Sequence, residues 1–401
     1  MLYEHQRKLI ERNPAKTGIF HDVGCGKTIS SLKLVERNNP KNCLIITTKS
    51  LKLNWEREIT QWVPDIPTVF SVYSKEEFRK VASVMLPYEA LIVDEFHFFG
   101  NFKSQLSKSL MKYIKRTSPK YIWGLTATPV LSSVMSVWTL SVLLGNPLRN
   151  FTNFKHKYFY EIRMGHRMIP VQKKNIEKDI SEDLRKIGDV VSKDDALDLP
   201  ESVHLFEYFD LTSEQKKAIK DLDKDPTTTA PIVYYTKVLQ IANGTLKQES
   251  GNREFICEKI TRIKELVSQY RKCVIVARHR AELEMLHKHL PGSYIYDGQT
   301  SLRDREKIVA RQHDRDFVVL LQSEMGIGFN LQEVSLMIFY SHTWDFVKYY
   351  QCVGRIHRIG QINKCTYIHL LVPDTVDMDV WECLLRKKSF DVELYHRDKV
   401  S

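Results

Sequence analysis

Three groups of residues have the types and spacing for chemistry on phosphate. The first is His21-Asp-Val-Gly24-Cys25-Gly26-Lys27-Thr28. Glycines let a backbone wrap close to phosphate oxygens and aim N–H groups at them, and a following helix adds the positive end of its dipole. Lys27 then meets the β- and γ-phosphates of a nucleotide while the Thr28 hydroxyl holds Mg2+. The second is Ala90-Leu-Ile-Val-Asp94-Glu95-Phe-His97, an apolar run ending in adjacent carboxylates. Asp94 suits a Mg2+ position, usually through water, and Glu95 suits the base for an attacking water. The third is Gln351, Arg355 and Arg358, spaced i, i+4, i+7. On a helix starting near Phe346 they share a face, and two arginines there stabilise charge developing on a transferring phosphoryl group. A bare Gly-x-Gly-Lys-Thr also arises by chance, and strands often end in surface acids. The two in this order are far more specific, although His21 stands where the strict G-x-x-x-x-G-K-T pattern has its first glycine. The expected reaction is ATP hydrolysis with Mg2+, completed when the arginine-bearing half closes on the loop-bearing half.

These groups need strands to present them. Short apolar runs recur at Cys43–Thr47, Ala90–Val93, Tyr121–Leu125, Cys273–Ala277, Phe317–Leu321, Leu336–Tyr340 and Thr366–Val372. Continuous runs of this kind suit strands buried on both faces of a parallel sheet. Helical patterns intervene at Leu51–Trp62, Gln105–Lys115, Ala281–Leu290 and Leu302–Gln312. Strand-helix alternation in both halves predicts an α/β protein of two parallel-sheet lobes. The expected boundaries are 1–148 for the first lobe, 149–200 for an inserted basic and aromatic sub-domain or linker, and 201–401 for the second lobe. Phe154, Tyr158, Phe159 and Tyr160 in the insertion either stack on bases or fill a core. Glu161-Ile-Arg-Met-Gly-His-Arg-Met-Ile-Pro170 alternates around Gly165, which predicts a hairpin with Arg163 and Arg167 near its tip as nucleic-acid contacts.

A chain of 401 residues is long for one core and suits two domains. Its formal charge of +11 favours polyanions, nucleic acid above all. The seven cysteines form no C-x-x-C pair, so a structural zinc site is not supported and reduced core thiols are expected. The charged N-terminus lacks the apolar core of a secretory signal, and Val130 to Gly145 is too short to cross a bilayer and reads as a buried helix. A cytoplasmic protein that does not engage membranes is expected.

Gly124-Leu-Thr126-Ala127-Thr128-Pro129 follows another strand, and its hydroxyls can bond the Asp94-Glu95 segment. In this order, loop, Asp-Glu-x-His and Thr-Ala-Thr resemble superfamily-two helicases. Thr48-Lys49-Ser50-Leu51-Lys52-Leu53-Asn54-Trp55-Glu56-Arg57-Glu58 resembles the second motif of the Swi/Snf family, S-L-x-x-N-W-x-x-E. Tyr296-Asp297-Gly298-Gln299-Thr300 with Arg305, and Gln351 to Gln361 with its H-R-I-G-Q string, agree. The resemblance runs from Gln6 to about Val372 and implies two RecA-like lobes in tandem. It implies that Gln6 reads adenine and that Gly24, Cys25, Gly26, Lys27, Thr28, Asp94 and Gln351 bind ATP. It further implies catalysis by Lys27, Glu95, Arg355 and Arg358, and DNA contacts from Lys49, Ser50, Trp55, Thr126, Arg278, Arg305, Ser323 and Gly326. Two departures stand out. The loop reads His-Asp-Val-Gly-Cys-Gly-Lys-Thr where the family usually has D-E-M-G-L-G-K-T. The fifth motif, Gln322 to Leu331, is shorter than in chromatin remodellers and nearer to annealing and fork-remodelling helicases.

The resulting expectation is an ATP-dependent DNA helicase or translocase that remodels forked or branched DNA, in a compact phage or bacterial form. A duplex translocase that displaces proteins without strand separation, and an ATP-gated DNA-binding assembly factor, are the competing readings. RNA as the track is disfavoured by the resemblance alone.

Overall fold

The computed structural model describes residues 2–130, 133–148, 150–164, 167–222, 224–228, 230–249, 251–325 and 330–395. The chain forms two compact units that divide between Asp198 and Leu199.

The first unit holds strands β1 (Lys16–His21), β2 (Asn42–Thr47), β3 (Val69–Ser74), β4 (Ala90–Asp94), β5 (Tyr121–Leu125), β6 (Phe159–Met164), β7 (Arg167–Gln172) and β8 (Gly188–Val191). Its helices are α1 (Glu4–Arg12), α2 (Lys27–Asn38), α3 (Lys52–Trp62), α4 (Lys75–Val81), α5 (Gln105–Thr117), α6 (Met135–Leu143), α7 (Phe151–Tyr158), α8 (Glu177–Ile187) and α9 (Lys193–Ala196). Six strands make a parallel sheet in the order β3-β2-β4-β5-β1-β8. A parallel sheet needs helices on both faces, so its strands read as apolar runs, and β2, β4 and β5 are buried almost throughout.

The segment expected as a separate inserted sub-domain belongs to this unit. Phe154 and Tyr158 of α7, and Ile180, Leu184 and Ile187 of α8, are buried in the same apolar cluster as Leu44, Ile46, Leu91 and Val93. The Tyr158 hydroxyl donates to Asp183 Oδ2 at 2.5 Å, and β8 forms the sheet's sixth strand. Basic and aromatic composition misled because the aromatics are core and the lysines are paired, Lys157 with Asp183 and Lys186 with Asp183. Within it, β6 and β7 pair antiparallel as a hairpin from Phe159↔Gln172 to Met164↔Arg167.

The second unit holds β9 (Ser202–Tyr208), β10 (Thr245–Gln248), β11 (Gly251–Glu254), β12 (Lys272–Ala277), β13 (Tyr294–Tyr296), β14 (Phe317–Gln322), β15 (Leu336–Phe339) and β16 (Cys365–Leu371). Its helices are α10 (Ser213–Leu222), α11 (Pro231–Ala242), α12 (Glu258–Tyr270), α13 (Arg280–His289), α14 (Leu302–Ala310), α15 (Phe346–Val353) and α16 (Val376–Tyr395), the last belonging to this unit as far as Lys388. Its parallel sheet runs β13-β14-β12-β15-β16-β9. Successive side chains point to opposite faces, so Val274, Val276, Val319 and Leu321 join one apolar cluster while Cys273, Ile275, Leu320 and Ile338 join another. The sequence shows β12, β14, β15 and β16 for this reason. It hides β9 and β13, edge strands that are only partly buried and carry polar residues or span three positions. Among the described residues no helix is long and apolar enough to cross a membrane.

Truncation of a fully enclosed aromatic separates core from insertion. Phe154→Ala is expected to lower stability by about 3–5 kcal/mol in denaturant unfolding monitored by circular dichroism. A loss near zero means that α7 lies outside the first unit's core.

Candidate active site

β1 delivers the phosphate loop at its C-terminal end, where ligands meet open parallel sheets. Gly24 and Gly26 have φ of 87° and 72°, a region that side chains with a Cβ rarely adopt. Gly26 opens α2, and a Cβ on it would stand 2.4 Å from Gln6 Nε2. Gln6 lies buried on α1, where its Oε1 accepts from the Tyr3 amide at 2.9 Å and its Nε2 donates to the Gly26 carbonyl at 3.3 Å. His5 Nε2 lies 2.9 Å from the Cys25 carbonyl, so α1 clasps the loop from outside. Cys25 is enclosed, and burial pushes its thiol up to about 12. Its side chain packs, leaving only its backbone to face a phosphate.

Lys27 Nζ donates to the carbonyls of His21 and Asp22 at 2.9 and 3.1 Å. Phosphate oxygens are charged acceptors and bond an ammonium more strongly than neutral carbonyls do, so a phosphate placed in the loop could take Lys27 from these carbonyls. His21 ends β1 and is buried, with its Nε2 2.7 Å from Asp189 Oδ2 on β8. Burial drives the imidazole down to about 4, so it is neutral at pH 7. Asp189 is held below the ordinary carboxylate range by His21 and Arg12 against its own burial. An ionised carboxylate only accepts, which fixes the His21 proton on Nε2. The residue in place of a glycine therefore anchors the loop to β8 rather than touching phosphate.

Asp94 ends β4. Its Oδ2 accepts from Thr47 Oγ1 at 2.9 Å and Trp55 Nε1 at 2.8 Å, and its Oδ1 from the Glu95 amide at 2.9 Å. Burial, and then the Glu95 charge, raise its pKa to about 6, an environment in which a cation is welcome. Glu95 has the left-handed φ of 49°, a conformation that persists only where surroundings over-determine it. Its Oε2 lies 3.3 Å from His97 Nδ1, which is 2.9 Å from Thr126 Oγ1. Thr126 in turn accepts from the Thr128 amide at 3.1 Å. The carboxylates, His97 and the β5 end thus form one hydrogen-bonded chain along the sheet edge. Among the described residues no cluster of three or more His, Cys, Asp or Glu could hold a metal. Mg2+ keeps waters and phosphate oxygens and takes few protein ligands, and the Thr28 hydroxyl and the Asp94 carboxylate are oxygen donors of the kind that could hold it.

Several expected contacts are corrected. Trp55 is buried and serves Asp94 instead of tracking DNA. Thr126 is fully enclosed by the His97 contact, and Ser323 is buried with its hydroxyl donating to Glu324 at 3.0 Å. Lys49 and Ser50 are exposed in the turn before α3, and Arg163 is exposed on β6. Gly326 and the side chain of Arg167 lie outside the described residues. Arg278 is half-buried, its amide donating to Ser341 Oγ at 2.8 Å. Arg305, also half-buried, lies 5.3 Å over the Tyr296 ring and donates to the Asp297 carbonyl at 3.0 Å.

In the second unit, the helical face shared by Gln351, Arg355 and Arg358 does not form. α15 is capped by Asp345, whose carboxylate accepts from the Val347 amide, and ends at Val353 with Gly354 as its cap. Arg355 and Arg358 lie in the turns beyond. Arg355 Nε donates to the Gln351 carbonyl at 2.9 Å, and Arg358 to Asn330 Oδ1. Gln351 is buried. Both arginines are thus set by the chain around Asn330 and Leu331, whose amide donates to the Arg355 carbonyl at 3.1 Å. Sequence reasoning missed Thr47 and Asp189. A hydroxyl at a strand end signals the first, whereas nothing local signals a partner 168 positions from His21.

A RecA-like α/β sheet with a phosphate loop after β1 and an Asp-Glu pair after β4, two strands away across β5, defines a phosphate-loop nucleotide-binding unit, here followed by a second RecA-like unit. Residues 72–275 match the SNF2-related domain and residues 258–360 the helicase conserved C-terminal domain. The chain belongs to the SNF2-related domain family. It is 23% identical over 476 residues to the ISWI chromatin-remodeling complex ATPase ISW1 of Saccharomyces cerevisiae, covering 96% of this chain and 39% of that protein. It is 21% identical over 413 residues to the SWI/SNF-related matrix-associated actin-dependent regulator of chromatin subfamily A-like protein 1 of Xenopus tropicalis, covering 91% and 42%. The chain therefore spans about two fifths of the length of these curated relatives. A solved Sulfolobus solfataricus SWI2/SNF2 ATPase core in complex with dsDNA aligns with 99% of this chain and 93% of its own, at 18% identity and a TM-score of 0.43.

Two measurements check this geometry. Trp55→Phe keeps an aromatic ring, though a smaller one, and removes the donor to Asp94, so kcat for ATP is expected to fall about tenfold while duplex affinity stays within about twofold. Weakened DNA binding at unchanged kcat restores Trp55 as a DNA contact. His21 has an ordinary value of 6.5 and a folded one of about 4, so the unfolded chain binds its proton first. Its contribution is complete above pH 6.5 and lost as pH falls through about 4. The guanidinium midpoint of the wild type is therefore expected to fall more steeply than that of His21→Asn between these limits.

Proposed function

We propose that this chain is an ATP-dependent DNA motor that hydrolyses ATP with Mg2+ and moves along double-stranded DNA. The observation that carries the reading is the meeting of the Lys27 loop, Asp94 and Glu95 along the C-terminal edge of one parallel sheet, in a chain of the SNF2-related family. Lys27 gives up the His21 and Asp22 carbonyls for the β- and γ-phosphates. Thr28 and Asp94 would hold Mg2+, which would supply positive charge to neutralise the phosphates. Glu95, steadied by His97, takes a proton from the attacking water. Arg355 and Arg358 are the proposed stabilisers of transition-state charge.

Duplex DNA as the track is supported by the likeness to chromatin-remodelling ATPases and by the net charge of +11. Lys49 and Ser50, exposed before α3, are the proposed backbone contacts, joined by Arg278 and Arg305. Forked or branched DNA as the preferred substrate is supported by the hairpin β6–β7, where Tyr160 and Ile162 are exposed near Arg163. A hairpin with an exposed apolar side can wedge between the strands of a duplex that the motor draws past it.

Lys27→Ala is expected to abolish ATP turnover, and Arg358→Ala to leave nucleotide binding within about threefold while lowering DNA-stimulated hydrolysis by about 100-fold or more. Unchanged hydrolysis in Arg358→Ala removes that arginine from the site. ATPase stimulation across duplex, forked and RNA substrates tests the track, and stimulation by RNA alone overturns DNA. Replacing residues 163–167 by Gly-Ser is expected to impair fork unwinding more than triplex displacement. Equal loss of both means that the hairpin only supports the fold.

A further inference from the structure

The segment through which the first unit passes into the second, residues 188–198, is fastened to the phosphate loop at several points. β8 lies parallel to β1 in the register Gly18↔Gly188 to His21↔Val191. That approach needs both glycines, since a Cβ on Gly188 would stand 2.6 Å from Phe20 Cε2 and one on Gly18 only 2.1 Å from Phe20 Cζ. The ring of the buried Phe20 fills the space that the two glycines leave. Beyond this packing, His21 Nε2 donates to Asp189 Oδ2 at 2.7 Å, and the Asp22 amide donates to the Val191 carbonyl at 3.0 Å. Arg12 of α1 also bonds Asp189, so the helix that clasps the loop through Gln6 and His5 is tied to the same carboxylate. Ser192 then caps α9, its Oγ accepting from the Asp195 amide at 3.2 Å.

His21 and Asp22 are also the residues whose carbonyls Lys27 Nζ holds. When Lys27 turns to phosphate oxygens, those carbonyls lose their donor, and both residues are bonded on their other side to β8.

We infer that Asp189 is a positioning residue that links the phosphate loop to residues 188–198, so that occupancy of the loop is felt in the segment leading to the second unit. The inference rests on reading the loop as an ATP site. It goes beyond that reading by assigning a role to His21, which the phosphate contacts leave without one, and to a strand that binds no ligand. Asp189 does not touch the nucleotide. It holds His21, and His21 holds the start of the loop.

Hydrogen exchange read by mass spectrometry on the full chain, with and without Mg2+ and a non-hydrolysable ATP analogue, tests the link. In the wild type, amides of residues 188–198 are expected to change their exchange rate by about fivefold or more on binding. In Asp189→Ala that response is expected to disappear while the analogue still binds, and the KM for ATP rises about fivefold with kcat within about twofold. Asp189→Asn still accepts from His21 Nε2 and is expected to restore both the response and the KM. A merely structural role for Asp189 lowers stability without this split and without rescue by Asn. A wild type that binds the analogue with no response in residues 188–198 overturns the inference and leaves the ATP site standing, even if Asp189→Ala fails to fold. Asp189→Ala with wild-type response and KM overturns it as well. A wild type that binds no analogue overturns the ATP site and the inference with it.

Discussion

The Asp94 carboxyl accepts from Thr47 at the end of β2, from Trp55 on α3 and from the Glu95 amide. An acidic group enclosed by burial beside a second acid would otherwise take up a proton, and these donors oppose that tendency. Their geometry reaches outward in both directions. Trp55 brings α3 against the sheet, and α3 is preceded by the exposed Lys49 and Ser50. Glu95, turned into a left-handed conformation, leads to His97 and through it to Thr126 at the end of β5. Adjacent strand ends are thereby joined by side chains as well as by the sheet itself.

A second set of contacts organises the other side of the loop. Asp189 receives His21 from β1 and Arg12 from α1, and α1 in turn presents Gln6 and His5 to the carbonyls of Gly26 and Cys25. Lys27 closes the circuit on the carbonyls of His21 and Asp22. The loop is therefore held by the two Lys27 bonds, whose carbonyl acceptors phosphate oxygens can replace, and by the His21 contact to the partly buried Asp189 behind it. A histidine where the family pattern differs is compatible with phosphate binding because its ring points to β8.

The second unit places its arginines by different means. Gly354 stops α15 before Arg355, and the two arginines are fixed by the Gln351 carbonyl and by Asn330. Helical periodicity alone would put them on one face; turn geometry and a neighbouring loop set them in the fold. The buried pair Lys259 and Asp377, 3.1 Å apart, does related work at the strand ends, where Lys259 also donates to the Leu370 carbonyl at 2.8 Å.

Local chemistry settled much of this protein in advance. Continuous apolar runs announced β2, β4, β5, β12, β14, β15 and β16, because strands covered on both faces have no polar side to show. The Gly-x-Gly-Lys-Thr string and Asp94-Glu95 marked phosphate chemistry, because positive φ and strand-end carboxylates are written in adjacent residues. What the sequence left undecided were contacts between residues far apart in the chain. Trp55, Thr126 and Phe154 are polar-tipped or aromatic residues that suit a DNA surface and a core equally, and only burial assigned them to the interior. Asp189 has no local signature at all, since its meaning arises when Gly18 and Gly188 let β8 close on β1. Side-chain types and short spacings are properties of the sequence. Which of two equally suited surfaces a side chain meets is decided by tertiary packing, through hydrogen bonds and excluded volume between segments that no local pattern relates.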